Sequence, residues 1–259
     1  MGEKRSRLFK YCWFKDHDGS INELANLAMK ENWVSYTNED KEREKKLVLI
    51  NYIDHTFQRL SYEKKIIEST CGQYACFNTG LCTDNQEDIY AFLNKNKHQK
   101  ATIPWYFIGF KKSSDRDLTK FSKLPDRAHY FDDPSELLYD TRIDLRYNAD
   151  HIIDDNFNRF PEALKQQDKH MLINILEGAI NDSKRRVERN YKTAIPQFYH
   201  NKIQLLLPLC LIQKGKADLA LVVEKQDSGV YLASTILTLT MAYNNARLIA
   251  KPDDEWLRS

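Results

Sequence analysis

Apolar residues recur at helical spacing in three parts of the chain. Ile21, Leu24, Leu27 and Ala28 follow Ser20-Ile-Asn-Glu23, a capping box in which hydroxyl and carboxylate satisfy free amides of a first turn, so a short helix is predicted from Ser20 to about Trp33. Leu47, Ile50, Tyr52, Ile53, Phe57 and Leu60 share one broad face over 47–68 and predict a longer helix. Asp168 is placed to cap a third, which carries Leu172, Leu176, Ala179 and Ser183 in one stripe and runs to about Arg189. The charged stretch 38–46 between the first two reads as a solvated connection.

Elsewhere the period shortens. Aromatic and β-branched runs at 74–77, 88–93 and 105–110, separated by Asn, Gly and Lys-rich turns, predict three strands of an antiparallel meander. Apolar runs at 202–211, 217–225 and 230–239 predict more strands, the last two joined as a hairpin at Asp227-Ser-Gly229. Residues 112–166 carry few regular patterns, with Pro125, Pro134 and Pro161 as punctuation. The class is therefore α+β, with N-terminal helices followed by a mostly antiparallel sheet against which a basic helix packs. Residues 1–19 read as a polar tail and 20–259 as one domain, with a subdivision near 112–166.

Composition narrows the function classes. A chain of 259 residues with 42% hydrophobic and 29% charged residues is globular, which excludes collagen, mucin and disulfide-scaffold readings. Its 39 Lys and Arg against 37 Asp and Glu leave a net charge of +2, so only a local patch argues for a polyanion partner. No apolar run approaches the roughly 18 residues of a membrane span, so no membrane partner is expected. Met-Gly-Glu-Lys-Arg-Ser has no apolar secretory region, and a cytoplasmic location is expected; its formal match to a myristoylation pattern is short enough to arise by chance. Cys12, Cys71, Cys76, Cys82 and Cys210 are odd in number and form no C-x-x-C pair, which fits reduced thiols better than a zinc site.

Three clusters carry candidate chemistry. On the helix from Asp168, Arg186 and Asn190 continue the buried stripe and need partners, which a phosphate or a carboxylate would supply. Between 184 and 202 six Lys and Arg, among them Arg189 and Lys192, stand against Glu188 alone, interleaved with Tyr191, Phe198 and Tyr199. Cations for phosphate and rings for bases are the combination single-stranded nucleic acid sites use, although a cationic helix end also complements its own dipole. In the second cluster an apolar strand leads into Tyr243, Asn244, Asn245 and Arg247, which suit base and phosphate recognition or, equally, turn capping and a short helix. In the third, nine Asp and Glu between 126 and 155 face three Arg; Asp154 and Asp155 would hold Mg²⁺ if the chain were a nuclease or nucleotide hydrolase. Phosphate-binding, dinucleotide, nucleophile-elbow and zinc-protease motifs are missing.

Seven segments together resemble the family catalogued as domain of unknown function 3825, over almost the whole chain. They are Phe77-Asn-Thr-Gly-Leu81, Pro104-Trp-Tyr-Phe-Ile-Gly-Phe110, Tyr130-Phe-Asp-Asp-Pro134, His151-Ile-Ile-Asp-Asp-Asn156 with Arg159-Phe-Pro161, Arg189-Asn-Tyr-Lys-Thr-Ala-Ile-Pro-Gln-Phe-Tyr199, Ile203-Gln-Leu-Leu-Leu-Pro-Leu209, and Ala242-Tyr-Asn-Asn-Ala-Arg-Leu-Ile249 with 252–256. The family is mainly bacterial and often fused to cold-shock or OST-HTH RNA-binding modules, so the resemblance implies a link to RNA but no reaction. Thr240 stands where the resemblance leads one to expect Asp.

These segments coincide with the polar clusters. The expectation is a pocket lined by Asn78, Thr79, Asn156, Arg159, Arg186, Asn190, Lys192, Gln197, Tyr243, Asn244, Asn245 and Arg247, with Arg189 beside Arg186 and Lys192 on phosphate and Tyr191 stacking with Tyr243. The function expected is binding of single-stranded RNA or a nucleotide. A Mg²⁺-dependent hydrolase using Asp154 and Asp155, and a protein-interaction module whose charged clusters pair, are the alternatives.

Overall fold

The computed structural model describes residues 7–31, 33, 46–97, 102–252 and 257. They form two units, one ending at His129 and one beginning at Tyr130, each with its own five-stranded sheet. The expected connection at 38–46 lies, apart from Lys46, outside the described residues.

The first unit opens with helix α1 (Arg7–Tyr11) and strand β1 (Cys12–Trp13), so the stretch read as a tail carries structure: Leu8 and Cys12 are buried and β1 pairs in parallel with β5 (Trp105–Lys112). Helix α2 is His17–Leu27, starting three residues ahead of the capping box because the Asp16 carboxylate accepts from the Gly19 amide, while the Ser20 hydroxyl donates to the Asp16 carbonyl. It stops short of Trp33 because Ala28 is extended and the Met29 amide donates to the Cys82 carbonyl, exchanging helix for strand-like pairing. Helix α3 (Leu47–Tyr62) ends before the apolar pattern does. Lys64 adopts φ 56°, and the Lys64 and Lys65 amides close the last turn onto the carbonyls of Ser61 and Leu60, a Schellman ending.

Past the short β2 (Ile67–Glu68), strands β3 (Tyr74–Cys82), β4 (Asp88–Lys95) and β5 form the expected antiparallel meander, in the order β1-β5-β4-β3-β2. A 3₁₀ turn at Arg116–Lys120 brings Leu118, with Phe121, against Cys76, Tyr90 and Phe92. Gly80 sits in the irregular part of β3 at φ 75°, and a Cβ there would stand 2.6 Å from the Tyr52 hydroxyl of α3.

The second unit contains β6 (Leu145–Tyr147), α4 (Ala149–Asn156), α5 (Lys169–Arg189), β7 (Ile195–Tyr199), β8 (Lys202–Leu209), β9 (Leu219–Lys225), β10 (Tyr231–Thr238) and α6 (Leu239–Ala246). Its sheet runs β6-β10-β9-β8-β7, antiparallel except for the β6–β10 pair. The Asp168 carboxylate caps α5 through the Met171 amide, and the stripe Leu172, Leu176, Ala179 and Ser183 is buried as its spacing requires. That stripe covers one sheet face, where Leu205, Leu207, Leu221 and Val223 point; the alternate residues Leu206, Ala220 and Val222 meet Ala242 and Ala246 of α6 on the other. The fold is α+β, and among the described residues no helix is long and apolar enough to cross a membrane.

Gly80→Ala is expected to lower stability by about 1–3 kcal/mol, because the new methyl meets both a left-handed backbone and the Tyr52 hydroxyl. An unchanged urea midpoint would contradict that account.

Candidate functional site

Most of the polar residues marked out in the sequence work as internal ties. Asn78 and Thr79 belong to the first unit and are almost fully buried in β3. The Asn78 side chain donates to Asp88 at 3.2 Å and accepts from the Gly80 amide at 2.9 Å, while the Thr79 hydroxyl donates to the Ile89 carbonyl at 2.7 Å and accepts from the Leu81 amide at 3.2 Å. Phe77-Asn-Thr-Gly-Leu81 thus satisfies the backbone groups that the break in β3–β4 pairing would leave open.

In the second unit Asn156 and Arg159 form a tie between α4 and β10. Buried Asn156 donates to the Ile152 carbonyl at 2.8 Å, and its oxygen accepts from the Thr235 hydroxyl at 2.8 Å and from the Arg159 guanidinium at 2.6 Å. The same Arg159 nitrogen also donates to the Ile236 carbonyl. One terminal nitrogen of this guanidinium is thus engaged by the protein.

A relay of amides ties α6 to the sheet. The Asn245 amide donates to Gln197 at 3.1 Å, Gln197 to Gln204 at 2.9 Å, and Gln204 to the Glu224 carboxylate at 2.8 Å, which also takes the Lys202 ammonium at 2.6 Å. Gln197 is 1% exposed. Burial alone would raise the Glu224 pKa, but the donors Lys202 and Gln204 outweigh it and hold the carboxyl below its ordinary value. The run after β10 takes the helical option, α6, which Thr238 caps. Tyr243 packs on the Leu206–Val222 side of the sheet, the Arg247 amide ends the helix on the Tyr243 carbonyl, and the Asn244 side-chain oxygen is buried with no hydrogen-bond partner among the described residues.

The residues at the end of α5 divide differently. Arg186, on the inner edge of the stripe, donates to the Asp182 carboxylate at 2.8 Å, so its partner is a carboxylate one turn back. Asn190 is exposed and ends the helix: its amide donates to the Arg186 carbonyl, and its side chain accepts from the Lys192 amide at 3.1 Å, starting the 3₁₀ turn Tyr191–Thr193. Arg189, Tyr191 and Lys192 point outward, Tyr191 at 61% exposure. Neither cation has an ion pair with a described residue.

A cleft of about 600 Å³ opens at this corner, lined among the described residues by 137–138, by 190–192 and 194–196, and by Ala246 with 249–252. Its floor is apolar, from Ala194, Ile195, Pro196, Ala246 and Ile249, and its polar groups are Asn190, Tyr191, Lys192 and Lys251. Lys251, like Lys192, is exposed and has no ion-pair partner among the described residues. Of the expected pocket, the structure thus brings Asn190, Tyr191 and Lys192 to one cleft with Arg189 beside them in sequence, while Asn156, Arg159, Gln197 and Asn245 hold the surrounding scaffold. Lys251, Leu137 and Leu138 were not marked out by the sequence; Lys251 lies between two of the family-like segments, which is the one signal that pointed near it.

The acidic pair is exposed on α4, and each carboxylate already has a partner. Lys169 lies 2.9 Å from Asp154 and 3.1 Å from Asp150, and His151 lies 3.3 Å from Asp155. Successive helical residues diverge by about 100°, which sends the two carboxylates to different partners. Among the described residues no group of three or more His, Cys, Asp or Glu is arranged to hold a metal ion.

The family described as Domain of unknown function (DUF3825) matches residues 24–256, and the chain belongs to it. No curated protein and no solved structure matches the chain.

Asn156→Ala is expected to cost about 1–3 kcal/mol, since it removes the buried acceptor shared by Arg159 and Thr235 and the donor to the Ile152 carbonyl; unfolding midpoints measure it, and a neutral result would contradict the tie. Glu224 gives a signed pH dependence. Its folded pKa is depressed, so its stabilisation is present above the ordinary Glu value of about 4.3 and is lost as pH falls through the lower folded value. Melting temperature in Glu224→Gln is therefore expected to fall less steeply than wild type across that acid range; parallel curves would contradict it.

Proposed function

We propose that this member of the DUF3825 family binds a nucleotide, free or as one unit of single-stranded RNA, in the cleft beyond α5. The base lies on the apolar floor beside Tyr191, and the phosphate meets Lys192 and Lys251, with Arg189 adding to the local positive field. The observation that carries this reading is the combination in one cleft of an apolar floor, an exposed ring and two lysines with no carboxylate partner among the described residues. The volume supports it, since small-molecule sites commonly span about 300–1,000 Å³. Charge supports it as well. Arg186 and Arg189 lie in the last turn of α5, where they complement the helix dipole, but Lys192 and Lys251 lie outside that helix and are the charged side chains among the described residues that line the cleft.

Calorimetric titration with adenosine monophosphate, adenosine and inorganic phosphate tests the reading. Adenosine monophosphate is expected to bind most tightly, with an affinity that falls as salt rises. Lys192→Glu combined with Lys251→Glu is expected to weaken it at least about 10-fold. Tyr191→Ala is expected to weaken adenosine monophosphate about 5-fold or more while leaving inorganic phosphate unchanged. Absence of binding to the wild-type chain, or equal binding by the double-lysine variant, would overturn the proposal.

A further inference from the structure

A second surface, on the first unit, presents rings in a row. Strand register sets Trp13 of β1 beside Tyr106 of β5, Tyr106 beside Asn94 of β4, and Asn94 beside Tyr74 of β3. Partners in register project to the same face of a sheet, so ring, ring, amide and ring cross four strands on one side. Trp13 is 44% exposed, and its ring centroid lies 5.1 Å from that of Tyr106. The far end of the row is closed, with Tyr74 stacked on Phe92 and the Lys120 ammonium over both rings. Among the described residues the near end is open.

The same face stays open further along β5. The shift in β4–β5 register between Phe92 and Leu93 leaves Ile108 without a partner on β4, and its side chain is 44% exposed. Gly109 itself is buried, but an added Cβ there would find nothing nearer than the Lys111 Cε at 4.0 Å. Lys10 and Lys15 flank β1; both are exposed and neither has an ion-pair partner among the described residues, with Asp16 and Asp18 following Lys15 in sequence. Asn94 is half-buried.

The geometry points to this sheet face as a stacking platform for single-stranded nucleic acid, with unpaired bases on Tyr106 and Trp13, the Asn94 amide at a base edge and the lysines on the phosphates. Aromatic side chains on an exposed sheet face accept any base because every base has a π-face, and cations beside them supply the sequence-independent part of the affinity. The inference does not rest on the nucleotide cleft of the second unit. If both hold, each unit has its own place for nucleic acid.

The test uses the full chain and a fluorescein-labelled ten-nucleotide RNA, compared with an abasic ten-mer of the same phosphate count, by anisotropy and tryptophan fluorescence. The variant Lys192→Glu with Lys251→Glu serves as background, so that the cleft does not contribute. In that background the RNA is expected to bind at least about 5-fold more tightly than the abasic strand and to quench tryptophan emission. Trp13→Ala and Tyr106→Ala are each expected to remove about 5-fold or more of the RNA affinity and leave the abasic strand unchanged, with Trp13→Phe restoring most of the loss. Equal affinity for the RNA and abasic strands overturns the platform without requiring any platform variant to fold. So does unchanged RNA binding by both alanine variants, or self-association that Trp13→Ala abolishes in the absence of any RNA affinity, which would make the patch a contact between copies. Adenosine monophosphate binding that survives any of these failures leaves the cleft reading standing.

Discussion

The hydrogen bond from Asn245 to Gln197 is the constraint on which the candidate site depends. It joins α6 to the edge strand β7, and these two elements lead directly into the opposing walls of the cleft, Ala246 and 249–252 on one side and 190–196 on the other. A buried amide left without a partner costs on the order of 1–3 kcal/mol, so Gln197 cannot stop at one bond, and it passes the requirement on through Gln204 to Glu224 and Lys202. The charge at the end of that relay is half in water, where a paired carboxylate is tolerated.

The same rule separates residues that build this protein from those left over for a ligand. Asn78, Thr79, Asn156, Arg159, Gln197 and Asn245 are chemically able to recognise a base or a phosphate, but each sits where a sheet or helix end needs a donor or acceptor, and each is used there. Arg189, Tyr191, Lys192 and Lys251 have no such employment among the described residues. Their availability, more than their type, singles out the end of α5 as the candidate site.

Helices with long regular stripes were legible because the period of 3.6 persists over several turns and a single side chain opens them, as Asp168 does for α5. Shorter elements were not. Helix α4 spans eight residues inside an acidic stretch whose composition resembles a loop, and β1 and β6 are two and three residues long and exist through parallel pairing with strands far along the chain. Strand β7 contains Pro196, which reads as a break but is tolerated at the edge of the sheet, where β7 lies. The candidate site was legible in part. A run of Arg, Asn, Tyr and Lys at a helix end marked the corner, but residue type alone does not reveal which polar groups the interior consumes. Arg186 illustrates this: its position on the stripe correctly required a partner, and the partner is Asp182, a residue of its own helix.

The most direct test of the nucleotide cleft is where a nucleotide lands. Amide chemical shifts of the ¹⁵N-labelled chain, recorded as adenosine monophosphate is added, should move in a saturable way at residues 190–195 and 246–251, with the side-chain amide of Asn190 among them. Shifts confined to α4 around Asp154 and Asp155, or no saturable shifts at all, would contradict the account.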